Sequence, residues 1–425
     1  MIGMKRAALA GSINQRFFYG WVMVAVAGLG LFASGPGQSH TFSIFVGPIS
    51  DDLGITQTGL ASAYAVATLA AAFALPYLGK VVDQYGPRNS LIGIAVILGF
   101  ACLFFGAAAG YLWLALGFGF LRFFGQGAMM LGSANLVSQW FNAKRGFALS
   151  LMALGFGLSM AVHPALGQYL IDTMGWREAW FALGMITWAT MLPALVLLVF
   201  DKPEDLNLAP DNAAVTPSDT PPQQTGLTLG EALGHPTFYL ASLAMCSIAM
   251  LVTTLHYHQF NILTFNGLDD VWAARSFTIS AVVMVATMTL VGKALDTFKT
   301  RYVFAAALII QGCSLILSTF ATSAPTLIVY AVMFGVNNAC SMTLFGYVWP
   351  RFFGRLHLGR IQGAGQMIAV VGASLGPIPV SYAFDTSGDP STTLRLLAIL
   401  PFTGAALVFF LLRTPKGVEA PAGLE

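Results

Sequence analysis

The sequence predicts an all-α integral membrane protein of twelve transmembrane helices, arranged as two pseudo-symmetric six-helix bundles. Three observations predict it. Of 425 residues, 56% are hydrophobic and only 9% are charged, whereas soluble domains carry about 25% charged residues. Twelve apolar segments can be drawn, near the ~20 residues that a spanning helix needs: 18–47, 57–79, 89–110, 112–140, 147–171, 177–199, 237–264, 273–292, 302–322, 325–349, 360–384 and 392–412. Finally, the second half echoes the first. Gly79, Lys80, Asp83 and Arg88 recur 213 residues later as Gly292, Lys293, Asp296 and Arg301. Pro164, Tyr169 and Asp172 recur as Pro377, Tyr382 and Asp385 at the same spacing.

The charges orient the chain. With the N-terminus inside, sixteen of the 20 Lys and Arg fall on the inner side, as the positive-inside rule requires. Arg177, Arg275 and Arg395 fall outside, and Arg122 lies within a span. The expectation is a multi-pass protein of the cell (inner) membrane with both termini cytoplasmic. It divides into an N-terminus (1–17), a first bundle (18–199), a cytoplasmic linker (200–235), a second bundle (236–412) and a tail (413–425). The linker opens with Asp201-Lys202-Pro203-Glu204-Asp205 and stays polar and proline-rich, a flexible composition. A short surface helix is expected over 227–233. The first apolar stretch is too long for a signal-peptide core, so no cleavable signal is expected.

Segment 1 opens with the interfacial aromatics Phe17-Phe18-Tyr19-Gly20-Trp21. Further on, Gly35-Pro36-Gly37 permits a bend, followed by Gln38, Ser39 and His40 at membrane depth. Polar side chains there face protein or water. Segment 4 carries Arg122 and Gln126. Arg122 sits about eleven residues from the outer end, ~16 Å deep at 1.5 Å per residue. An arginine there costs about 2.5–3.5 kcal/mol on insertion scales, so it needs a wet cavity, polar neighbours, backbone carbonyls or a bound anion. No Asp or Glu lies mid-span to pair with it. Segment 5 contains His163 before Pro164, which reads as a packing histidine.

Segment 7 ends with His256-Tyr257-His258-Gln259-Phe260-Asn261. Aligning His258 on His40 also pairs Phe260 with Phe42 and Ile262 with Ile44, 218 residues apart. Duplicated halves hold substrate between them near the midplane. His256 and His258 point away from each other, so at most one lines a pathway. Arg275 begins segment 8, Asn337 and Asn338 are mid-membrane amides in segment 10, and Gln366 lies in segment 11.

No Walker loop, metal-spaced cluster or nucleophile elbow is present, so no enzyme activity, metal or cofactor is expected. The cysteines Cys102, Cys246, Cys313 and Cys340 read as small core residues. A net charge of +2 implies no nucleic-acid partner. The candidate substrate and proton residues are His40, Arg122, His258, Arg275, Gln38, Gln126, Asn261, Asn337, Asn338 and Gln366. A midplane cation with histidines nearby favours an anionic substrate, and histidine is a natural proton carrier where buried carboxylates are missing. The competing reading makes Arg122 structural and the chain an exporter or antiporter of a neutral or amphipathic compound.

The loop Gly79-x-x-x-Asp83-x-x-Gly86-x-Arg88 resembles the loop 2–3 signature of the major facilitator superfamily. Asp296 and Arg301 belong to its degraded second copy. In that family the loop is a conformational gate, which assigns that role to Gly79, Asp83, Gly86, Arg88, Asp296 and Arg301. Tyr19-Gly20-Trp21 and Trp140-Phe141-x-x-Lys144-Arg145-Gly146-x-Ala148 resemble signatures of the monocarboxylate transporter and oxalate/formate antiporter branch. The resemblance implies secondary transport of a small carboxylate by alternating access. The histidines make a proton the expected coupling ion, and a monomer is expected because nothing in the sequence requires a dimer. It places His40 where mammalian members carry a functional lysine. Met288, with Thr287 beside it, stands where the family has a substrate-binding arginine, and segment 11 lacks the lysine of the oxalate exchanger. An anion would therefore need Arg122 or Arg275 as its counter-charge.

Overall fold

The computed structural model describes residues 10–141, 144–212, 226–354 and 358–415. Eleven stretches among the described residues are helical, long and apolar enough to cross a membrane. Many of the large side chains left exposed on them are hydrophobic, such as Phe73, Tyr77, Leu112 and Phe410. That outward apolar surface suits lipid and not water. The expected residues 213–225 of the linker, 416–425 of the tail and loop positions 142–143 lie outside the described residues, as do the side chains of Gly79, Asp83 and Asp296.

The chain groups into two compact units. The first comprises Met1–Ile49 and Ala70–Asp219, the second Ser50–Leu69 and Thr220–Glu425. In the first, the expected opening span is broken. Helix α1 (Gly20–Ala33) ends at a 3-10 turn over Gly35–Gly37, followed by α2 (Ser39–Phe42), a turn over Ser43–Phe45 and α3 (Val46–Leu53). Pro36 lacks the N–H that a continuing helix would use. Gly37 approaches the carbonyl of Leu121 so closely that a Cβ would clash.

Helix α4 (Gln57–Gly106) carries two spans joined at Gly86, whose φ of 78° breaks the helix. A glycine adopts this at no steric cost, and Pro87 then restarts the helix with its φ already set. The new helix start is capped by Asp201, which accepts from the Arg88 backbone N–H at 2.8 Å, while Arg88 Nη2 donates to the Val196 carbonyl at 3.2 Å. Helix α5 (Tyr111–Phe120) runs into a π-helical segment, Leu121–Ala128, and then α6 (Met129–Trp140). Helices α7 (Arg145–Met174) and α8 (Trp176–Leu198) follow, with α1 packed against α6, α7 and α8. Asp211 of the linker accepts from the Lys144 N–H at 3.1 Å.

The second unit opens with α9 (Leu229–Leu233), within the expected surface helix and closed by a Thr228–Glu231 capping box. Helices α10 (Pro236–Phe265), α11 (Asp270–Thr297), α12 (Thr300–Ser318) and α13 (Ala324–Phe353) follow. Segment 11 divides into α14 (Leu358–Leu375) and α15 (Pro377–Ser387), and segment 12 into α16 (Ser391–Leu397) and α17 (Ile399–Leu411). Helix α10 packs on α14, as α1 packs on α7 in the first unit. The sequence repeat is not copied in every break. The helix interrupted in the first unit is the opening one, and α10, its counterpart, is continuous. Pro164 sits inside an unbroken α7, whereas its counterpart Pro377 starts a new helix.

Candidate functional site

In the first unit the polar residues after the α1 break meet the π-helical segment and α7. Arg122 is buried, and its Nη1 donates to the Gly37 carbonyl at 2.8 Å. The close approach depends on two facing glycines, since a Cβ on Gly125 would lie 2.7 Å from the Gly37 Cα. A π-helical turn redirects side chains within a helix and recurs at functional sites. Here it carries Arg122 and, one turn on, the half-buried Gln126. Gln38 Nε2 donates to Ser34 Oγ at 3.1 Å, and Ser34 Oγ donates to the Leu31 carbonyl.

His40 is buried with its Nε2 3.3 Å from Ser159 Oγ on α7. Ser159 Oγ lies in turn 3.2 Å from His163 Nδ1, which is also 3.2 Å from the Ser159 carbonyl oxygen. Phe156 stands edge-on to the His40 ring, and Phe32 leans on His163 with ring centroids 4.8 Å apart. Gly35 leaves the space that the His163 ring fills. Sequence reasoning passed over Ser159 and read His163 as packing. The available signal was their four-residue spacing, which puts both on one helix face.

In the second unit His258 is fully buried. Its Nε2 lies 2.9 Å from the Pro377 carbonyl and 3.1 Å from Ser381 Oγ. His256 turns instead toward Phe334 on α13, with centroids 5.0 Å apart. Asn261 and Asn337 are buried with amide nitrogens that meet no acceptor among the described residues, while Asn338 Nδ2 donates to the Phe334 carbonyl at 2.8 Å. Gln366 is exposed on α14. Arg275 is exposed near the start of α11, its guanidinium 5.5 Å from the Trp272 ring centroid. The structure thus brings His40, Gln38 and Arg122 into one neighbourhood and leaves Arg275 on an exposed helix end. Met288 is half-buried on α11, beside Thr287, whose hydroxyl donates to the Val283 carbonyl.

One contact was absent from the sequence reading. Asp385, at the end of α15, accepts the backbone N–H groups of Gln57 at 3.0 Å and Thr58 at 2.7 Å. It supplies a negative charge to the start of α4, where the helix dipole favours one. Arg301 Nη2 donates to the Tyr302 hydroxyl at 3.1 Å.

Known proteins share this arrangement of helices. The chain is 26% identical to the human "Monocarboxylate transporter 11" over 91% of its own length and 82% of that protein's. It is 25% identical to the "Oxalate:formate antiporter" of Oxalobacter formigenes, over 56% of this chain and 53% of that one. A crystal structure of a bacterial homolog to the human lysosomal transporter Spinster, in an inward-facing and occupied conformation, covers 96% of the chain and 99% of its own, with a TM-score of 0.67 at 15% identity. The family profile described as Major Facilitator Superfamily matches residues 21–274 and again 267–425. The chain is a multi-pass membrane transporter and belongs to the Major Facilitator Superfamily.

Proposed function

We propose that the protein is a secondary active transporter that moves a small, monocarboxylate-like organic anion by alternating access, coupled to a proton. It acts as a monomer in the cell (inner) membrane, with both termini cytoplasmic. The observation that carries this reading is Arg122, the one buried charged side chain among the described residues. Its Nη1 donates to the Gly37 carbonyl at 2.8 Å, and the fork geometry of a guanidinium matches a carboxylate. His40 in the same neighbourhood supplies an imidazole, a group able to take up and release a proton. Gln38, Gln126, Asn261, Asn337, Asn338 and Gln366 supply neutral hydrogen bonds along the pathway, His258 stabilises the second unit, and Arg275 attracts anions at the outer end. Gly79, Asp83, Gly86 and Arg88 in the first unit, and Asp296 and Arg301 in the second, act as conformational gate residues of their own units. Relatives named for monocarboxylates and for oxalate and formate support the substrate class.

The Arg122–Gly37 bond also favours a second reading, in which the arginine ties the broken opening helix to the π-helical segment and the cargo is neutral or amphipathic. Uptake of labelled lactate, pyruvate, formate, acetate and oxalate into proteoliposomes, with and without acid outside, separates the two. Acid-driven accumulation lost in Arg122→Gln supports the first. Absence of uptake of every carboxylate sinks it.

A further inference from the structure

The Ser159 hydroxyl lies between two buried histidine rings, and a backbone carbonyl fixes the hydrogen of one of them. His163 Nδ1 lies 3.2 Å from both the Ser159 carbonyl oxygen and Ser159 Oγ. A carbonyl oxygen only accepts. Nδ1 therefore carries the hydrogen, because a lone pair there would face the carbonyl lone pairs. With Ser159 Oγ accepting from His163, its own hydrogen is available to His40 Nε2, 3.3 Å away. In that arrangement His40 Nε2 is the acceptor and the neutral ring holds its hydrogen on Nδ1. The second unit has the opposite polarity. There His258 Nε2 sits 2.9 Å from the Pro377 carbonyl and must donate.

We propose that Ser159 and His163 form a relay that presets His40 Nε2 as the acceptor of the coupling proton, with His163 a positioning residue. The proposal rests on the reading of His40 as the proton-binding group. A proton adds to the Nε2 lone pair and makes an imidazolium. Ser159 Oγ then accepts from both rings, and its hydrogen turns to a backbone carbonyl one turn back, which a helical serine can reach. On proton release the hydroxyl swings back to His40. The relay gives His40 two discrete hydrogen-bonded states without moving the helix.

The surroundings hold few competing charges. Helix α2, which carries His40, packs on α7 and on the short turns that flank it. Of the titratable residues on α7, Arg145 is its first residue, Tyr169 is exposed, and Asp172 accepts from Gln168 Nε2 at 2.8 Å. His163 reaches His40 through Ser159. Arg122 holds the Gly37 carbonyl of the preceding turn.

The test is nitrogen-15 NMR of histidine-labelled full-length protein in lipid bilayers at about pH 8.5, some two units above the ordinary imidazole value. The His40 signals are assigned by their loss in His40→Gln. The expected result is a His40 hydrogen on Nδ1 in the wild type and in Ser159→Thr, and a mixed population in Ser159→Ala. A wild-type His40 carrying its hydrogen on Nε2 overturns the proposal, and that result needs no variant to fold. A Ser159→Ala tautomer unchanged from wild type overturns it as well. Carboxylate uptake in the same liposomes is scored separately. If the tautomer is as expected but no carboxylate moves, the coupling role falls with the transport reading while the hydrogen-bond geometry stands.

Discussion

His40 and His258 hold matching places in the sequence repeat, and each ring meets a partner 119 residues further on, His40 at Ser159 and His258 at Pro377. His258 also has a hydroxyl at hand, Ser381 Oγ at 3.1 Å, but the carbonyl fixes the hydrogen on its Nε2. A hydroxyl can reverse its hydrogen bond and a carbonyl cannot. His40 therefore suits a proton that comes and goes, and His258 suits a permanent tie between α10 and α15. Replacing His258 by Phe should lower stability by about 1–3 kcal/mol, the cost of leaving a buried group unsatisfied. A thermal melt in detergent measures it, and an unchanged melt would show that the tie contributes nothing.

Proton coupling at His40 gives a pH signature. Uptake by the wild type should depend on the outside pH, because the coupling proton must bind before the carboxylate moves. His40→Gln should flatten that dependence, because the amide does not titrate. A variant that keeps the full wild-type profile would place the coupling proton elsewhere.

Arg122→Gln should raise KM for a carboxylate about 10- to 100-fold, as expected for loss of a hydrogen bond to a charged group. Arg122→Lys should fall between, since it keeps the charge and loses the fork. If Arg122→Gln transports normally but melts early, the arginine is structural and the neutral-cargo reading gains.

Gly86 should not tolerate a side chain. Its φ of 78° disfavours any Cβ, and a Cβ there would lie 2.6 Å from the Asp201 carboxylate. Gly86→Ala should cost about 1–3 kcal/mol, because φ 78° with ψ 158° is a backbone region that glycine alone adopts readily. Asp201→Asn should cost less, about 0.3–1 kcal/mol, by removing the charge that faces a helix start. Melting curves of the two variants should rank in that order.

Asp385→Ala should loosen the start of α4, because the carboxylate holds two of its otherwise unpaired N–H groups. Amide hydrogen exchange at Gln57 and Thr58 should speed up about fivefold, the equivalent of roughly 1 kcal/mol for a lost helix cap. Equal exchange in both proteins would show that Thr56, whose Oγ1 accepts from the Gly59 N–H at 3.1 Å, suffices as the cap.

The spans were legible because lipid leaves few options. A buried backbone must satisfy itself within a helix, so runs of apolar residues such as 177–199 translate almost directly into helices such as Trp176–Leu198. The break at Gly35-Pro36-Gly37 was legible as a bend, since proline and glycine announce it locally. The π-helical segment around Arg122 was not, because its sequence is ordinary and its backbone answers to the close approach of Gly37 and Gly125.

The sequence by itself determined the membrane class, the positions of the spans, the repeat and the polar residues placed at membrane depth, because hydropathy, charge count and glycine or proline punctuation act locally. Only the tertiary structure decided which polar groups meet. It set Ser159 between His40 and His163, turned His258 onto a carbonyl, left Arg275 exposed, and brought Asp385 to a helix start 328 residues away. Hydrogen bonds act over about 3 Å, and which atoms come that close depends on helix packing between segments far apart in the chain.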